Sequence, residues 1–152
     1  MFEILSERRL DTGSSTDLDN EVIDEKQKKI TYFLVDFENI QEFGINQLNG
    51  RKNFRLIMFV GAKQTRIPIS LSMILQKFGD KVAYLIVTDI AKNALDFQLT
   101  FELGRLAAAN PLELSAFQII SNDKGFDTVI SRMLDLGIDA KRVNSINTKG
   151  VS

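Results

Sequence analysis

Three aspartates stand where a carboxylate could do chemistry: Asp36, Asp96 and Asp123. Asp36 ends the apolar run ITYFLVD and is followed by Phe37, Glu38 and Asn39. Asp96 lies in KNALDFQL, early in a stretch of helical spacing. Asp123 lies in IISNDKGFDTVI, with Asp127 four residues on. The chain has no His and no Cys. That excludes Ser-His-Asp and Cys-His catalysis, His- or Cys-ligated metals, iron–sulfur clusters and disulfide scaffolds. The remaining chemistry belongs to carboxylates, hydroxyls, Lys, Arg and a hard metal ion. Converging carboxylates suit Mg²⁺ or Mn²⁺, which take oxygen ligands and serve phosphoryl chemistry by neutralising a phosphodiester and activating water. Their mutual repulsion favours binding such an ion.

Each acid also has a plainer reading. Asp123 could cap a turn or a helix, and Asp96 and Asp127 could do no more than favour the positive end of a helix. Glu38 reads as a solvated loop residue and Asn39 as a turn cap. Asp36 is the hardest to dismiss, because it follows an apolar run that belongs in a sheet centre, where an unpaired carboxylate is expensive.

The elements that must hold these acids follow from hydrophobic patterning. Apolar, β-branched and aromatic runs predict strands at 30–36, 54–60, 81–88 and 116–121, with a weak edge strand at 139–143. Helices are expected from Pro68 to Phe78, where Gly79 stops the first; over 94–109, with Leu95, Leu99, Leu103 and Leu106 on one stripe; and over 126–136, ended by Gly137. A further short helical stretch is expected over 40–49. Strands alternating with helices imply a parallel sheet covered on both faces. In such sheets function gathers beyond the carboxyl ends of the strands, which is where these acids fall.

The composition is that of a globular chain of 152 residues, 44% hydrophobic and 26% charged, large enough to fold without a staple. Residues 1–29 differ. They carry eight acids and five bases among Ser, Thr, Asp and Gly, and read as a flexible acidic extension preceding a folded domain over 30–152. That domain holds 14 bases and 12 acids, so the overall charge of −1 understates how basic it is. The N-terminus lacks the basic start and apolar core of a signal peptide, and no apolar run reaches the length of a membrane span. A cytoplasmic location is expected.

Taken in order, the three motifs resemble those of the PIN-like nucleases, most closely the branch that includes the NYN domains. LVDFENI matches the opening motif through Asp36 and Asn39, and KNALDFQL the middle acid through Lys92 and Asp96. IISNDKGFDTVI matches the late cluster through Ser121, Asp123, Phe126 and Asp127. One common NYN form has a second Asp where this chain has Gly125, and Asp127 could take its place. The resemblance spans residue 30 to about 143. It implies a three-layer α/β/α sandwich with a central, mainly parallel sheet of about five strands. It also implies a metal-dependent nuclease acting on RNA rather than DNA. Asp36, Asp96, Asp123 and Asp127 would bind Mg²⁺ or Mn²⁺, Asn39 would orient a ligand or phosphate, and Ser121 would bond within the site. The three principal acids are expected to share one metal-sized cluster.

Lys63, Arg66, Lys92 and Lys124 fall at the same edge, where they can contact phosphates without reading sequence. Phosphate-binding glycine loops are absent. Two other functions are compatible with the pattern. One is a catalytically silent PIN-like module that binds RNA or protein. The other is a receiver-like phospho-signalling domain, which lacks support because Asp36 has no acidic neighbour. A homo-oligomer suits such a fold, although no interface stands out in the sequence.

Overall fold

Residues 29–147 are described in the structure, a computed structural model. The apolar runs become five strands: β1 (Ile30–Asp36), β2 (Phe54–Val60), β3 (Val82–Ile86), β4 (Ser115–Ile120) and β5 (Asp139–Val143). Between them lie three helices: α1 (Ile69–Lys77), α2 (Ala94–Ala109) and α3 (Asp127–Asp135). All the strand pairs are parallel, in the order β3-β2-β1-β4-β5. This is the expected α/β/α sandwich. Its strand order also sets aside the receiver-like alternative, whose sheets run 2-1-3-4-5.

Side-chain alternation along each strand feeds two cores. Tyr32 and Leu34 of β1 face α2 and α3, packing with Leu95, Leu99, Leu103, Leu106 and Met133. Phe33 and Val35 face the other way, toward Leu71 and Leu75 of α1 and toward Ile45 and Leu48 of a short 3₁₀ turn. That turn, Ile45–Leu48, is all the helix formed within residues 40–49. Pro68 precedes α1 as its cap in extended conformation rather than occupying its first turn.

The polar extension expected at residues 1–29 lies outside the described residues except for Lys29. Its ammonium donates to Asp139 Oδ2 at 3.0 Å, at the start of β5. Among the described residues, no helix is long and apolar enough to cross a membrane.

The chain builds outward from β1 through β2 to β3, then crosses back through α2 to β4 on the other side of β1. The order reverses between β1 and β4, and the register there sets Val35 beside Ile120. Asp36 and Ser121 therefore leave the sheet side by side, at its topological switch point.

Candidate active site

Asp36 closes β1 and is fully buried. The chain turns sharply after it, with the N–H groups of Asn39 and Ile40 both donating to the Asp36 carbonyl at 3.1 Å. This turn folds Asn39 back so that its Nδ2 donates to Asp36 Oδ2 at 2.7 Å. Ser121 Oγ, buried at the end of β4, donates to the same oxygen at 2.8 Å. The other oxygen, Oδ1, is buried and has no hydrogen-bond partner. Leaving such an acceptor unpaired costs on the order of 1–3 kcal/mol, and more for a charged group.

Ser121 also positions the next acid, because its Oγ accepts from the Asp123 N–H at 3.0 Å. Asp123 Oδ1 accepts from the Gly125 N–H at 2.8 Å, capping the turn Lys124–Phe126. The plain capping role therefore accounts for one of its oxygens.

Asp96 sits in the first turn of α2, whose inner stripe of leucines fixes the helix against the sheet. Its carboxyl is pushed up to about 6, first by burial and then by the charges of Asp36, Asp123 and Glu38. The three expected aspartates thus share one electrostatic neighbourhood. Among the described residues, however, no three acids close tightly enough to hold a metal ion as they stand. They meet as a common edge under charge stress, not as a formed cage.

Glu38 was expected to be a solvated loop residue, and it is indeed exposed, but it leans into this group. Gly61, just past β2, makes the room: a Cβ there would lie 2.6 Å from Glu38 Oε2. The bare backbone at Gly61 was the available signal.

Asp127 stands apart. Its Oδ1 accepts from Arg142 Nε at 2.7 Å and its Oδ2 from Nη2 at 3.3 Å. That bond holds its carboxyl below the usual range, and Asp127 is not among the acids acting on Asp96. Arg142 Nη1 also donates to the Ser121 carbonyl at 3.0 Å. Sequence reasoning gave Arg142 no role beyond its place in an edge strand.

A family model described as a PIN domain matches residues 30–143, from the start of β1 to the end of β5. The chain belongs to the PIN domain family. PIN domains are typically nucleases that use divalent metals. No curated protein and no solved structure matches the chain.

Beside the acid edge of this PIN domain lies a cleft of about 180 Å³, whose lining takes in Glu38 but not Asp36, Asp96 or Asp123. Glu38, Gly61 and Asp89 line it, together with Lys63, Lys92 and the start of α2. Asp89 Oδ1 accepts from the Ala91 N–H at 2.9 Å, shaping the loop that carries Lys92. Asn93 follows in left-handed conformation (φ 65°), which Asn tolerates better than most residues, and α2 begins immediately after it. Lys63 and Lys92 are exposed, and neither forms an ion pair among the described residues. Arg66 is exposed beyond the cleft, and Lys124 lies one residue past Asp123.

The donors are of the kind a hard divalent cation takes. Asp36 offers a buried carboxylate oxygen without a partner, and the Asp96 carboxyl is pushed up first by burial and then by neighbouring acids, a stress that a nearby cation would relieve.

Proposed function

We propose that this PIN domain is a metal-dependent ribonuclease of the NYN-type branch. The observation that carries this reading is the orphaned Asp36 Oδ1 at the switch point, in the same electrostatic neighbourhood as an Asp96 whose carboxyl is pushed up first by burial and then by three acids. Asp36, Asp96 and Asp123 would hold Mg²⁺ or Mn²⁺, with Glu38 beside them. Such an ion supplies charge neutralisation of the scissile phosphate and an activated water. Asn39 and Ser121 fix the Asp36 carboxylate by occupying its other oxygen, so that Oδ1 alone is free to ligate. Lys63, Arg66, Lys92 and Lys124 hold the strand by its phosphates, which gives affinity without sequence readout. Single-stranded RNA suits a cleft lined by the exposed side chains of Lys63 and Lys92, in the cytoplasm.

The absence of a formed cage among the described residues favours one second reading, a silent module that binds RNA without cutting it. A single experiment separates the two. Labelled single-stranded RNA and DNA of the same sequence are incubated with the protein in Mg²⁺, in Mn²⁺ and in EDTA. Cation-dependent RNA cleavage lost in Asp36→Asn supports the nuclease. RNA retention with no cleavage under any condition supports the silent module and overturns the nuclease.

A further inference from the structure

Among the described residues β3 is an edge strand, bonded to β2 on one side only. The Val87 N–H donates to the Val60 carbonyl at 2.8 Å. Alternation then turns the backbone groups of Ala83 and Leu85 toward β2 and those of Val82, Tyr84 and Ile86 outward. The side chains of these three residues also share a face, and Tyr84 is 46% and Ile86 64% exposed. The sequence VAYLI contains no charge, proline or glycine, the usual protections of an open edge. Such a strand is a template for another. Residues 1–28 and 148–152 offer no apolar run longer than two residues, so these segments are poor candidates to cover it.

We propose that β3 pairs with β3 of a second copy of this chain. The pairing is antiparallel about a two-fold axis through Tyr84 and joins the two sheets edge to edge. The strand is complementary to itself in this register. Tyr84 exchanges both backbone bonds with its copy, and Val82 exchanges both with Ile86 on each side of the axis. Tyr84 then meets Tyr84, and each exposed Ile86 meets a Val82, an apolar pair of the kind that stabilises sheets. An uncharged strand meets itself with no like charges opposed, and the isologous contact closes at two copies. The carboxyl edges of the two sheets point in opposite directions, so both clefts stay open. The proposal is independent of what the acid edge does.

The full chain is studied by sedimentation velocity across the micromolar range. It should sediment as a dimer. Ile86→Lys should raise the dissociation constant at least about tenfold while leaving the circular dichroism unchanged. Because the chain has no Cys, single thiols report the register. Tyr84→Cys places two Cα atoms about 5.5 Å apart across a bonded pair, within disulfide reach, and should cross-link under mild oxidation with copper phenanthroline. Ile86→Cys places its two copies about 14 Å apart and should not. A wild-type monomer throughout, a dimer indifferent to Ile86→Lys, or equal cross-linking at both positions would each overturn the proposal.

Discussion

The carboxyl edge of the sheet holds two kinds of acid. At the β1–α2 end, Asp36 is buried with one oxygen unpaired, and Asp96 is pushed up to about 6 by burial and by three acidic neighbours. At the β5–α3 end, Asp127 is exposed and clasped by Arg142, which holds its carboxyl below the ordinary range. The residue types and the edge are the same, but the electrostatic states are opposite. An acid whose charge is already answered by the protein has a structural job. An acid left in tension is poised for something from outside. Arg142 joins the two regions, because the guanidinium that clasps Asp127 also holds the carbonyl of Ser121, whose hydroxyl bonds Asp36.

The sharpest way to break this contrast is to neutralise one acid from each side. Asp36→Asn should lower metal-dependent RNA cleavage at least about a thousandfold, since a neutral amide is a poor ligand for a hard cation. The near-isosteric amide should leave the circular dichroism intact, and filter binding should show RNA affinity little changed. Asp127→Asn should cost less than about tenfold in the same assay, because an exposed ion pair contributes little. Equal losses at the two positions would put Asp127 in the site and erase the distinction.

The tension at Asp96 should be readable without substrate. Its carboxyl titrates higher in the folded chain than its ordinary value of 3.8. Its contribution therefore favours the fold below about pH 4 and is lost as pH rises through about 6. Melting in EDTA should show that decline, and Asp96→Asn should flatten it and stabilise the protein at pH 7 by roughly 2 kcal/mol, a figure already reduced for partial solvent screening. The same proton must leave before a cation can bind, so Mn²⁺ affinity measured calorimetrically should rise as pH passes 6.

A smaller effect is expected from Gly61→Ala. The added Cβ displaces the Glu38 carboxylate, the far end of a flexible side chain, so the fold should survive. With Glu38 moved away, Asp96 should titrate closer to its ordinary range, which carboxyl-carbon NMR can follow. An Asp96 titration identical to wild type would show that Glu38 plays no part in the stress.

Much of this architecture is legible in the sequence, because burial on both faces of a parallel sheet writes strands as continuous apolar runs. The bounds of β1, β2 and β5, and of α2 with its leucine stripe, follow directly. β3 is shorter than its apolar run, since the sheet ends before residues 87 and 88. Asp36 is legible as an acid at the end of such a run. Glu38 is not, because its neighbour is a glycine in the loop after β2, and a one-residue absence of side chain leaves little trace in a sequence. Asp127 is legible as an acid of the late motif, but its pairing with Arg142, fifteen residues later, is not. Spacing along the chain carries no record of which charge has found a partner across space.

The hydrogen bond from Ser121 to Asp36 spans 85 residues of sequence. During synthesis β1 emerges early, yet its β4 flank stays bare until residue 120 is made. At ribosomal rates of about 5–20 residues per second, that wait is on the order of 4–17 s. Throughout that interval Asp36 has neither its serine donor nor the neighbouring Asp123. The acid edge is thus among the last features to be completed on the nascent chain, and a product that ends at residue 120 holds four of the five strands yet lacks Ser121 and Asp123.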